Sequence, residues 1–178
     1  MAQTTHEVQF LSGCYNTLPN RRLAELVVGA MRAIGAPSYS EEDLRWAAEL
    51  SKSIPSEQKQ DWLRRSKRPD FEDLMDVLID TSIPDPWDEG ERGGGSTDVA
   101  DVSWNTPTIE FPTATCILGT PGHSWQFAAQ SGTSIGHKSL IFAAKTIALS
   151  VIELMTRPDL LDSVREAKFC GPRTGRGS

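Results

Sequence analysis

The feature that most constrains this chain is a shortage of strands. "TIEFPTATCILG" (108–119) is rich in Thr, Ile and Phe and reads as a strand, with Pro112 bending it or holding it to an edge. The only other strand-like stretch is "HEVQFLSGCY" (6–15), at the far end of the chain. A strand cannot stand alone, because its N–H and C=O groups must pair with a neighbour. Two such stretches do not make a sheet, so the pattern predicts part of an α/β domain, helix-rich and with its sheet incomplete.

Helical spacing fills most of the remainder. In "RRLAELVVGAMRAIG" residues Leu23, Leu26, Val27, Ala30, Met31 and Ile34 recur every three or four positions, and Gly35 and Pro37 stop the pattern. Ser40 is a good N-cap for a second helix, with acids in its first turn and Leu44, Trp46, Ala47, Ala48 and Leu50 following. "PSEQKQDWLRRS" opens a third helix, and "DFEDLMDVLIDTSI" predicts a fourth, short one before Pro84. "PDPWDEGERGGG" (84–95) is loop. The clearest helix is "SIGHKSLIFAAKTIALSVIELM", capped by Ser134, with an apolar stripe of Leu140, Ile141, Ala144, Ile147, Ala148, Val151, Ile152 and Met155. "RPDLLDSVREAKF" is a further helix after a proline break, and residues 170–178 read as a frayed tail.

Composition narrows the partners. The 178 residues carry a net charge of −6 with 38% hydrophobic residues, so no basic face invites nucleic acid or an anionic membrane. No uninterrupted apolar run is long enough to span a bilayer, and the N-terminus has no signal-peptide pattern. Cys14, Cys116 and Cys170 are scattered, without a CxxC, which fits buried thiols in a reducing, cytoplasmic compartment.

Two of the three histidines lie in "LGTPGHSWQFAAQSGTSIGHK" (118–138). His123 follows a strand end, where α/β proteins place ligands, and is a candidate metal ligand; a hydrogen-bonded loop residue is the alternative. His137, in the first turn of a helix, can accept a hydrogen bond or ligate, or simply cap and pack. The stretch "GGGSTDVADVSW" (93–104) offers glycines, hydroxyls and the carboxylates of Asp98 and Asp101. It could hold a substrate carboxylate, orient a histidine, or be a turn, and without a following Lys-Ser/Thr it is not a P-loop. HxD and HExxH motifs are lacking, so no complete catalytic set is visible.

Together, "GGGSTDVADVSWNTPT", "LGTPGHSWQ" and "SIGHKSLIFAAKTIA" resemble the C-terminal part of the zinc-dependent amidohydrolases of the aminoacylase/carboxypeptidase superfamily, in the branch of the aminobenzoyl-glutamate hydrolase B subunit. The resemblance is carried by residues 93–155, with a further likeness over "VQFLSGCYNTLPNRRLAELVVGAMRAIGAP". It implies a two-domain, di-metal hydrolase, a catalytic α/β domain with an inserted lid that makes the dimer. The implied reaction is hydrolysis of an amide next to a carboxylate by a metal-bridging water, with a glutamate as general base. On that basis residues 1–18 correspond to the last strand of the lid and its exit, 19–169 to the C-terminal part of the catalytic domain, and 170–178 to a flexible tail.

The resemblance makes His123 a metal ligand and sets Gly94, Gly95, Ser96, Asp98 and His137 beside the substrate. The family's HxD motif, bridging aspartate, catalytic glutamate and remaining ligands have no match here. The expected cofactor is zinc or another divalent metal in a complete enzyme, held weakly by this chain alone. The expected substrate is a small amide or dipeptide-like molecule, with a homodimer or a complementing chain as protein partner. Two alternatives stand beside an inactive portion of a hydrolase. One is a non-catalytic subunit that completes a site with a separate chain. The other is a relic without function.

Overall fold

In a computed structural model of the chain, residues 5–87, 95 and 97–167 are described. They form seven helices: α1 (Arg21–Ile34), α2 (Glu41–Ser51), α3 (Ser56–Arg65), α4 (Val99–Ser103), α5 (Trp125–Ser131), α6 (Ser134–Thr156) and α7 (Pro158–Glu166). Cys170 and the expected tail lie outside the described residues.

Local chemistry explains the helix starts. Asn20 accepts from the Leu23 N–H at 2.9 Å, and its amide donates to the Val164 carbonyl at 2.9 Å, so one buried cap also ties α1 to α7. Ser40 caps α2 in a reciprocal capping box with Asp43. Thr133, one residue before the expected Ser134, caps α6.

Helix α6 is the spine. It packs chiefly against α1, and also against α7 and α5. One core gathers Ala47, Ile79, Ile117 and Ile135 near its start. A second gathers Leu23, Leu26 and Val164 near its end, with Leu154 and Ile109 packed against them.

The helical register of α6 is as expected, but its orientation is not. The covered face consists of Ile135, Gly136, Ser139, Phe142, Thr146 and Ser150. The apolar stripe faces outward, with Leu140 65% and Met155 78% exposed. The hydroxyls turned inward are largely satisfied: Thr146 donates to the Phe142 carbonyl at 2.9 Å and Ser139 to Thr113 at 2.7 Å. An apolar run free of charge and long enough for a bilayer is missing from the sequence. The whole 23-residue helix nevertheless reaches a mean hydropathy of 1.6 over its best window, enough to cross a membrane by length and composition alone.

Neither expected strand forms among the described residues. Residues 5–20 have no regular structure, and Val8, Phe10 and Leu11 are each more than 80% exposed. The 108–119 stretch is likewise without a ladder. A ladder needs a second strand in register, and none is present among those residues to supply it. The observed architecture is helix-rich, which is compatible with part of a larger domain.

The expected helix over 70–83 is instead a chain of tight turns, such as Asp73 N–H to Asp70 C=O at 3.1 Å. Two cations bend it. Lys59 donates to the carbonyls of Met75 and Val77 at 2.6 and 2.7 Å, taking acceptors that a helix would use. Buried Arg68 grips Asp70 through two bonds of 2.9 and 2.7 Å, pairs with Asp80 and stacks 5.2 Å over the Trp87 ring.

Asp43 locks α2 to α6. Its carboxylate accepts from Lys138 at 2.7 Å, from the Ser134 hydroxyl, and from the Ser40 N–H at 2.8 Å. Lys138 first, then Ser134 and Ser40, hold this carboxyl well below the usual carboxylate range. A depressed carboxylate contributes its full stability above the unfolded value of about 4 and loses it as pH falls below that value. Acid titration of Tm is therefore expected to show a decline starting near pH 4 that is blunted in Asp43→Asn, a variant about 2 kcal/mol less stable at neutral pH. An unchanged acid limb in that variant would show that the lock contributes nothing.

Candidate functional site

The histidine-bearing stretch 118–138 folds as turn, α5, turn and the start of α6. Several of its glycines and hydroxyl residues have a structural task. Gly119 adopts φ +86°, and a Cβ there would lie 2.7 Å from the Lys59 Cβ. Ser124 caps α5, accepting from the Phe127 N–H at 3.2 Å and donating to the Pro121 carbonyl at 2.7 Å. Gly136 lets α6 approach α5, since a Cβ would meet the Ser131 carbonyl at 2.6 Å.

Gln130 is the residue that sequence reasoning missed. Fully buried, its side chain accepts from the Ile117 N–H at 2.6 Å and donates to Thr120 and to the Gln126 carbonyl, each at 3.0 Å. It clamps the 117–120 turn onto α5 and so fixes the base of the loop that carries His123. A glutamine near the end of a short helix gives no signal in sequence; only its burial reveals the task. The same turn half-buries Cys116, whose thiol is pushed up by burial.

The two histidines are left over from this scaffold. His123 is exposed and takes φ +55°, a left-handed conformation that is uncommon outside glycine and concentrates where structure serves a function. His137 is exposed on the first turn of α6, beside the Lys138 that pairs with Asp43. Among the described residues neither imidazole has a hydrogen-bond or ion-pair partner.

The Gly-rich stretch is anchored elsewhere. Asp98 is exposed at the N-terminus of α4 and makes no capping bond. Its neighbours hold the segment before α1: Asp101 accepts from the Tyr15 N–H at 2.9 Å, Ser103 from the Leu18 N–H at 2.9 Å, and Trp104 donates to the Asn16 carbonyl at 2.9 Å. Asp101 is thus a strut. Gly95 is exposed at φ +153°, while Gly94 and Ser96 lie outside the described residues.

Among the described residues no hydrogen bond or ion pair joins Asp98, His123 and His137. No three His, Cys, Asp or Glu side chains gather there as a metal site would need. The described residues therefore do not close a metal site around His123.

The scaffold reading is testable at two glycines of one loop. Gly119→Ala combines a backbone clash with a left-handed φ and is expected to cost about 3 kcal/mol in urea unfolding. Gly122→Ala meets open space and is expected to stay within about 0.5 kcal/mol. Equal effects would mean that the turn is not held against α3.

No family model matches the chain, and no solved structure matches it. Among characterised proteins, the B subunit of the p-aminobenzoyl-glutamate hydrolase of Escherichia coli (strain K12) is 30% identical over 174 residues, an alignment that covers 93% of this chain. The chain spans 36% of that relative's length. Over nearly its whole length, the chain is similar to about a third of the p-aminobenzoyl-glutamate hydrolase B subunit, the same protein to which its motifs pointed.

Proposed function

We propose that this chain is the C-terminal part of a metal-dependent amidohydrolase that cleaves an amide next to a carboxylate, of the aminoacyl or aminobenzoyl-glutamate type. Alone it is inactive. One observation carries the reading: in 118–138 Gly119, Gly136, the caps and Gln130 are consumed by the fold, while His123 stands exposed at a left-handed position without a partner among the described residues. A loop this well built, ending in an unpartnered imidazole, is an arrangement for presenting a ligand.

In this reading His123 supplies one donor to a divalent metal, zinc in the first instance. The metal, when bound, supplies a Lewis acid and an activated water. The other donors and the general base come from polypeptide beyond this chain. His137, Asp98 and the glycine-rich Gly94, Gly95 and Ser96 face the substrate, whose carboxylate suits the glycine backbone. The parent domain is α/β, and 1–18 belongs to a lid that makes a homodimer. The scattered thiols support a cytoplasmic setting.

A second reading has its own support: the relative is named as one subunit of its enzyme, which fits a non-catalytic chain that completes its site with a partner.

In a complete enzyme that contains this sequence, His123→Ala is expected to reduce bound metal and to lower hydrolysis more than about a hundredfold. Full metal content and activity would remove the ligand assignment. For this chain alone, calorimetry is expected to find only weak zinc binding. Tight one-to-one binding would overturn the view that it lacks most of its ligands.

A further inference from the structure

The outward face of α6 is the largest unexplained feature of the molecule. At ~100° per residue, Leu140, Ile141, Ile147, Val151, Ile152 and Met155 fall within one arc of about 140°, and no charged residue of α6 falls inside it. These side chains are 47 to 78% exposed. The stripe runs about 27 Å, from His137 at its start to Met155. A continuous apolar face of this length marks an interface rather than a solvated surface.

A second feature lies beside it. Ile109 packs against the core at the end of α6, and Thr113 bonds Ser139 near the start of α6, so the segment between them runs extended along the helix. Among the described residues, the backbone N–H groups of 108–111 make no hydrogen bond, and Pro112 has none to offer. An apolar helix face and an unpaired extended segment lie together, and one structure satisfies both: a β-sheet that adds to the segment and packs under the helix. A second copy pairing through the stripe would leave the segment unpaired. Lipid cannot pair it at all.

We infer that the α6 stripe is the docking face for a sheet-bearing polypeptide equivalent to the part of the E. coli relative outside the alignment, nearly two-thirds of that protein's length. The inference rests on the functional reading above, and it names the surface by which this chain would join the rest of the enzyme. His137, at the N-terminal end of the stripe, then stands at the edge of that joint.

The test is a chimera in which this chain replaces the aligned third of the E. coli relative, compared with the chain alone. Ile147→Cys and Val151→Cys, both on the exposed face, report on coverage through maleimide labelling. Labelling is expected to be fast in the isolated chain and slowed more than about tenfold in the chimera. Equal rates, or an insoluble chimera from two soluble parents, would overturn the inference. So would protection in the isolated chain that tracks dimerisation in sizing, which assigns the face to a second copy. Protection of the isolated chain by phosphatidylcholine vesicles would assign it to lipid. A protected chimera without metal or activity keeps the docking face and removes the functional reading, so the two fail separately.

Discussion

Helix α6 can serve as a spine because the face it turns inward carries mostly small residues, whose hydroxyls are largely satisfied within the fold. Gly136, Ser139, Thr146 and Ser150 let neighbouring elements come close, and Thr146 and Ser139 find acceptors or donors without water. Gly136 sets the closest approach, against the end of α5. The helix then reaches both cores, with Ile135 in one and Leu154 against the other. Any side chain larger than hydrogen at 136 would push α5 away, and with it the loop whose base Gln130 clamps.

The same geometry explains the inversion of α6. A helix usually buries its most apolar stripe. Here close packing selects the small face, and the apolar stripe is left outside. Burying six large side chains would be worth on the order of 10 kcal/mol, which makes their exposure a strong signal that a surface is missing its cover. The N–H groups of 108–111, unpaired among the described residues, carry the same message in hydrogen bonds rather than in area.

The loop shows how one motif divides into residues the fold uses and residues it leaves unused. Gly119, Ser124, Gln130, Thr133 and Gly136 build and hold the loop and the two helices. His123 and His137 are carried by it without being used in it. Asp101, which sequence alone offered as a functional carboxylate equal to Asp98, is spent on the Tyr15 N–H. Hydrogen-bond accounting separates the two acids where residue type could not.

What the sequence determined by itself is local. Apolar spacing with Asn20, Ser40 and Thr133 or Ser134 marked α1, α2 and α6, because caps and periodicity act within a turn or two of chain. The histidine loop and its family likeness were also legible, since they are read from residue types in order. What only the tertiary structure decided is everything that depends on a distant partner. Lys59 and Arg68 turned an expected helix at 70–83 into turns. No neighbour among the described residues came to make strands of 6–15 and 108–119. Gln130 gained its role by burial, and α6 turned its small face inward. Each of these is settled by groups far apart in sequence, where spacing along the chain carries no information.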